Sequence, residues 1–152
     1  MNFKISKRVF YSALNTVSRA ISSNSPLPAL SGIKIEVNQD SIILTGSDSD
    51  ISIQTTLSGN EEETNLIVKE TGSIVIEAKY ILEIVRKIDA DEIELEIVDG
   101  SLTKISGMSA EFRINGMRAL DYPAIDFTRP GQQFEMDADV LLKVISQTTF
   151  AT

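Results

Sequence analysis

The sequence predicts an α+β fold made of repeated β-α-β-β-β units, with helices on one face of antiparallel sheets. Three observations predict it. A short alternating strand followed by an amphipathic helix occurs three times. Runs of period-two alternation, separated by turn residues, follow the first two copies. Basic residues gather in the predicted helices, and acidic residues gather elsewhere.

The first copy is Phe3-Lys4-Ile5-Ser6 with a helix over 8–21. The second is Ile74-Val75-Ile76-Glu77 with a helix over 79–88, and the third is Phe134-Glu135-Met136-Asp137 with a helix over 140–148. Their spacing, about 70 and about 60 residues, is too long for a short solenoid repeat. After the first helix, Ile33-Lys34-Ile35-Glu36-Val37, Ser41-Ile42-Ile43-Leu44-Thr45 and Ile51-Ser52-Ile53-Gln54-Thr55 read as strands, with a turn at Asn38-Gln39-Asp40. Glu61-Glu62-Glu63-Thr64 reads as an exposed acidic loop. After the second helix come Ile93-Glu94-Leu95-Glu96-Ile97, a hairpin turn at Asp99-Gly100, Leu102-Thr103-Lys104-Ile105 and Glu111-Phe112-Arg113-Ile114.

Prolines 123 and 130 break both helix and inner strand, so the segment from Asp121 to Gly131 reads as a linker. This places one domain over 1–127 and the opening of a second over 128–152. The third copy has no strands to pair with, and about 21 residues cannot form a domain alone. The expectation is therefore one whole domain plus the first strand and helix of the next, cut from a longer chain. The alternative is a C-terminal helix packed back on the single domain.

Composition limits the chemistry. The 152 residues contain no Cys and no His. There is thus no disulfide framework, no thiolate nucleophile and no Ser–His or Cys–His pair. A Ser–Lys hydrolase using Lys79 or Lys104 finds no support in the spacing. Gly46 and Gly107 stand alone, so no glycine-rich loop is present to cradle a phosphate. Ser47-Asp48-Ser49-Asp50 could be weighed as a divalent metal site, but a strand follows at once and the distal Glu of a calcium loop is missing. A turn with a solvated acid pair fits it better. The expectation is a non-catalytic protein with no cofactor and no metal. No apolar run reaches signal-peptide or membrane-span length. The chain reads as soluble and cytoplasmic, with no membrane partner.

The net charge of −8 argues against nucleic acid on average, but the charge is segregated. Segments 6–21 and 78–88 hold six basic residues (Lys7, Arg8, Arg19, Lys79, Arg86, Lys87) and one acid, Glu83. The rest holds eight basic and 21 acidic residues. At 100° per residue, Phe10, Ala13, Leu14, Val17 and Ile21 share one face of the first helix, with Arg8, Ser12, Asn15 and Arg19 opposite. In the second helix Ile81, Ile84, Val85 and Ile88 lie opposite Lys79, Glu83 and Arg86, with Lys87 flanking. In the third, Lys143 faces outward. A few such cations suit weak, sequence-independent contact with a phosphate backbone. Three contacts lose roughly 40-fold in affinity between roughly 50 and 200 mM salt. No helix-turn-helix, zinc finger or aromatic RNP-type strand is visible. The runner-up is an acidic α/β protein-interaction module with no nucleic-acid role.

Four segments carry a family resemblance: Met1-Asn2-Phe3-Lys4-Ile5, Leu27-Pro28-Ala29-Leu30-Ser31-Gly32-Ile33, Leu44-Thr45-Gly46-Ser47-Asp48 and Leu120-Asp121-Tyr122-Pro123. In this order they resemble the bacterial sliding clamps, the beta subunits of DNA polymerase III. The resemblance implies the DNA-clamp (processivity) fold and a homodimeric ring of three-domain subunits, with helices lining a hole for duplex DNA. It implies tethering of the replicative DNA polymerase, and a clamp loader as further partner. The peptide pocket for both would lie largely outside this fragment. Carried over to this sequence, Lys79, Arg86 and Lys143 are expected to face DNA. Arg8, Arg19 and Lys87 join them from the helical wheel. Asn24 occupies a loop position where the family can carry a base, which weakens that ionic contact. The resemblance also implies subunit pairing through a sheet edge, for which Glu111, Phe112 and Ile114 are candidates together with Tyr80 and Ile81.

Overall fold

Period-two runs form strands and period-3.6 runs form helices, and the two kinds of element then pack on a shared apolar core. The computed structural model describes residues 1–21, 28–48, 51–60 and 62–123. In chain order the elements are β1 (Asn2–Ser6), α1 (Lys7–Ser18), β2 (Gly32–Val37), β3 (Ser41–Ser47), β4 (Ser52–Ser58), β5 (Ile67–Glu70), β6 (Gly72–Glu77), α2 (Ala78–Lys87), β7 (Glu92–Asp99), β8 (Leu102–Gly107) and β9 (Ala110–Asn115). The third strand–helix copy and the second-domain segment 128–152 lie outside the described residues. Among the described residues, no helix is long and apolar enough to cross a membrane.

The strands form two antiparallel sheets, ordered β5-β1-β7-β8-β9 and β4-β3-β2-β6. The two halves exchange their leading strands. β1 leaves its own half to pair with β7, placing Phe3 against Leu95 and Ile5 against Ile93. β6 in turn pairs with β2, placing Ile76 against Ile33 and Ile74 against Ile35. Each sheet thus holds strands from both halves. A single core joins Phe3, Ile5, Ile93, Leu95 and Ile105 of one sheet to Ile33, Ile35, Ile42, Leu44 and Ile53 of the other. Phe10, Leu14 and Val17 of α1 and Ile81 and Val85 of α2 complete it.

Local signals set the element ends. Ser6 caps α1, its hydroxyl accepting from the Val9 N–H at 3.5 Å. The helix predicted to reach residue 21 stops at Ser18, where the Ser18 hydroxyl donates back to the Asn15 carbonyl at 2.8 Å. The chain then tightens into three-residue bonds from Ala20 to Val17 and from Ile21 to Ser18. Gly100 takes the left-handed φ of +57° that the Asp99-Gly100 turn requires. Asp48 closes the β3–β4 turn, its carboxylate accepting from the Ile51 N–H at 2.7 Å.

β5 carries no strand signal in the sequence. Its four residues pair with β1, and only Val68 is half-buried, so no alternation marks it. The acidic segment before it forms a short 3-10 turn over Glu62–Thr64, with Glu63 exposed and Thr64 fully buried.

A second, smaller core joins Ala29, Leu30, Val75 and Tyr122, with Met117 packed against it. Residues 29–30 and 122 come from two of the segments that carry the family resemblance, so those segments meet in space. Met117 bridges to Val75 through a pair of backbone hydrogen bonds at 2.7 and 2.9 Å. Burial pushes the Tyr122 phenol up to about 12. Unfolded, the phenol titrates near 10, so the folded state retains its proton where the unfolded state has lost it. Stability is therefore complete below about pH 10 and falls from there to about pH 12, by up to roughly 2–3 kcal/mol. The hydroxyl has no hydrogen-bond partner among the described residues. Tyr122→Phe is thus expected to cost little at pH 8 and to flatten this alkaline loss. Urea melts of both proteins at pH 8 and pH 11 check it. Parallel losses in the two would remove Tyr122 as the cause.

Candidate nucleic-acid interface

The helical wheels divide α1 and α2 much as their burial does. Phe10, Ala13, Leu14 and Val17 are buried in α1, whereas Arg8, Ser12 and, just past the helix, Arg19 are exposed. In α2, Ala78, Ile81 and Val85 are buried, and Lys79, Tyr80, Glu83, Arg86 and Lys87 are exposed. The helices pack against each other and sink their apolar stripes into the same core.

Lys7 joins the two helices. Its ammonium donates to the carbonyl of Arg86 at 3.3 Å and to that of Ile88. These are carbonyls that the end of α2 leaves without a helical partner. The start of α1 therefore meets the end of α2, and the Lys7 charge also complements the α2 dipole there. Lys7 is one of the helix cations, but its ammonium is engaged by the carbonyls at the end of α2. One signal could have revealed this: a cation in the first turn opposes the dipole of its own helix, so it is better used elsewhere.

At the junction, Arg8 follows Lys7 and pairs with Glu63 at 3.3 Å. Away from the junction stand Lys79 on α2 and Arg19 after α1. Lys79 lies 3.6 Å from Glu77 and 5.1 Å above the Tyr80 ring. Glu83 lies 3.2 Å from Lys87 and 4.0 Å from Arg86. No carboxylate pairs with Arg19 among the described residues. All these pairs are well exposed, so each stabilises the fold very little. Asn24 and Lys143 lie outside the described residues.

The sheet faces differ from a bare acidic surface. Lys69 pairs with Glu94 at 3.6 Å, Lys104 with Glu96 at 3.6 Å, Arg113 with Glu111 at 3.5 Å and Lys34 with Glu36 at 2.8 Å. Cations interleave the acids of the strands. An acidic sheet face, the basis of the interaction-module reading, is correspondingly diluted.

β9 is an edge strand of its sheet. Glu111 and Arg113 point outward, while Phe112 and Ile114 are half-buried against the main core. Tyr80 is 47% exposed. Ile81 is fully buried in this domain's own core, which corrects its assignment as a subunit-contact candidate. Its place in the apolar stripe already pointed inward.

Among the described residues, no group of three or more metal-ligating side chains occurs. Chemically the arrangement offers exposed ammonium and guanidinium groups on two adjacent helices, a surface able to meet phosphates. Residues 1–126 match the family described as DNA polymerase III beta subunit, N-terminal domain. The chain is 40% identical over 152 residues to a protein of Halalkalibacterium halodurans named beta sliding clamp, covering 99% of this chain and 40% of that one. It is 36% identical, with the same coverage, to the beta sliding clamp of Bacillus subtilis. The crystal structure of the Bacillus subtilis DNA polymerase sliding clamp superposes with a TM-score of 0.83 at 35% identity, over 87% of this chain and 35% of that one. The DNA polymerase III beta chain of Streptococcus pneumoniae gives 0.84 at 30% identity, over 98% and 40%. The chain thus spans about 40% of the length of the relatives it matches.

Proposed function

The chain belongs to the DNA polymerase III beta subunit family, matching its N-terminal domain over residues 1–126, and from that membership we propose that it serves in a sliding clamp. The clamp encircles duplex DNA and tethers the replicative polymerase, without catalysing a reaction. The observation that carries this reading is the pair of adjacent helices with exposed cations on a family-typical fold. Arg8, Arg19, Lys79, Arg86 and Lys87 face the duplex, with Asn24 and Lys143 as further contacts. Because the ring retains DNA by topology, each domain needs only a weak grip, and a few salt-sensitive contacts supply it.

Further assignments rest on the same reading. The domain boundary falls near residue 127, with 128–152 opening a second domain. The ring is a homodimer, and the exposed edge of β9, with Glu111, Phe112 and Ile114, together with Tyr80 of α2, forms this domain's side of the subunit contact. An open edge strand is suited to strand addition. The polymerase and the clamp loader are protein partners, and the setting is cytoplasmic. The test is Lys79→Glu combined with Arg86→Glu in the full chain. Processive synthesis on primed circular DNA is expected to fall at least about tenfold at physiological salt, given that several phosphate contacts are lost or reversed. Undiminished processivity would remove these residues from the DNA-facing surface.

A further inference from the structure

The exposed cations of the two-helix face are guarded. Arg8, Lys79, Arg86 and Lys87 each have a carboxylate within 4.0 Å. One carboxylate serves two of them: Glu83 reaches Lys87 at 3.2 Å and Arg86 at 4.0 Å. It is also the one acid in segments 6–21 and 78–88. It lies on the same stripe of α2 as Lys79 and Arg86, one turn from each. A glutamate placed four residues before a lysine has the favoured orientation for such a pair.

We propose that Glu83 is an attenuator of phosphate binding, a positioning residue that limits how strongly Arg86 and Lys87 grip a polyanion. This deepens the DNA-facing reading of α2 and rests on it. A phosphate approaching α2 must displace the carboxylate from both cations, and it meets a like charge well inside the Debye length of about 10 Å. The face therefore neutralises fewer phosphates than its cations would suggest, and it releases them more readily. A surface that must move along DNA benefits from this weakness, and an acid at the centre of the basic stripe produces it.

The test is the salt dependence of affinity for a fluorescein-labelled duplex, measured by anisotropy on the full chain. Glu83→Gln keeps the shape and removes the charge; Glu83→Asp keeps the charge. Glu83→Gln is expected to steepen the slope of log affinity against log salt by about one phosphate. Its loss of affinity between roughly 50 and 200 mM salt then exceeds that of the unsubstituted chain by about 3-fold. Glu83→Asp is expected to keep the original slope, and thermal melts of both variants should stay close to the original. The proposal is overturned if Glu83→Gln leaves the slope unchanged while Lys79→Glu with Arg86→Glu flattens it. It is likewise overturned if Gln and Asp steepen the slope equally, since shape and not charge would then be responsible. If the double reversal also leaves binding untouched, the DNA-facing reading of α2 falls together with the attenuator.

Discussion

Gly46→Ala is expected to destabilise the domain by about 3 kcal/mol, the upper part of the range for overpacking a tight site. Gly46 pairs with Ile53 between β3 and β4, and that part of β3 is buried. A Cβ at Gly46 would stand 2.9 Å from the Val17 carbonyl carbon and closer still to its oxygen. Both atoms belong to the backbone of the last turn of α1, so no side chain can swing aside to make room. The helix would have to lift from the sheet, loosening Leu14 and Val17 in the core. For a chain of this length, a loss of about 3 kcal/mol lowers Tm by roughly 6–12 °C. Urea unfolding with an unchanged m-value checks the size. A loss below about 0.5 kcal/mol would show that α1 moves freely over β3, and the close approach would then not constrain the helix.

Gly46 also shows where the sequence stops being legible. A glycine in a strand announces a close approach, but not which element approaches; that depends on α1 crossing β3, some 30 residues away in sequence. Strands with strict inward alternation, such as β2 with Ile33, Ile35 and Val37, could be read because each buries every second residue. β5 could not, because only Val68 turns inward and pairing with β1 alone orders it. The strand exchange was equally hidden. Alternation in β1 says that Phe3 and Ile5 face a core, and nothing in five residues says that their partners are Leu95 and Ile93.

The site was legible in part for the same reason. The exposed stripes of α1 and α2 follow from periodicity, so Arg8, Arg19, Lys79, Arg86 and Lys87 can be placed on them from the sequence alone. The partners could not: Glu63 and Glu77 reach Arg8 and Lys79 from outside the helices, and Lys7 reaches across to α2. Charge counted by segment overstated the positive face, because it treated Lys7 as free and ignored acids that return to the helices through the fold.

Phe3→Ala is expected to cost about 4 kcal/mol, within the range for emptying a buried phenylalanine site. Phe3 is fully buried, and β1 runs through the interior of its sheet between β5 and β7. Its ring meets Phe10 of α1 edge to face, with centroids 5.7 Å apart and planes at 69°. A double-mutant cycle of Phe3→Leu with Phe10→Leu should return a coupling of about 1 kcal/mol for that pair. β1 is the exchanged strand, so the loss should not remain local. β5 pairs with β1 and with no other strand among the described residues. Backbone amides of residues 67–70 should therefore lose exchange protection in Phe3→Ala at lower denaturant than those of β3. The amino end of α1 follows β1 without a linker, so Lys7 should loosen from the α2 end, and Arg8 from Glu63, at the same time. A cost below about 2 kcal/mol, with β5 and β3 opening together, would show that the exchanged strand does not hold the two halves in register. The adjacency of the two helices would then need another support.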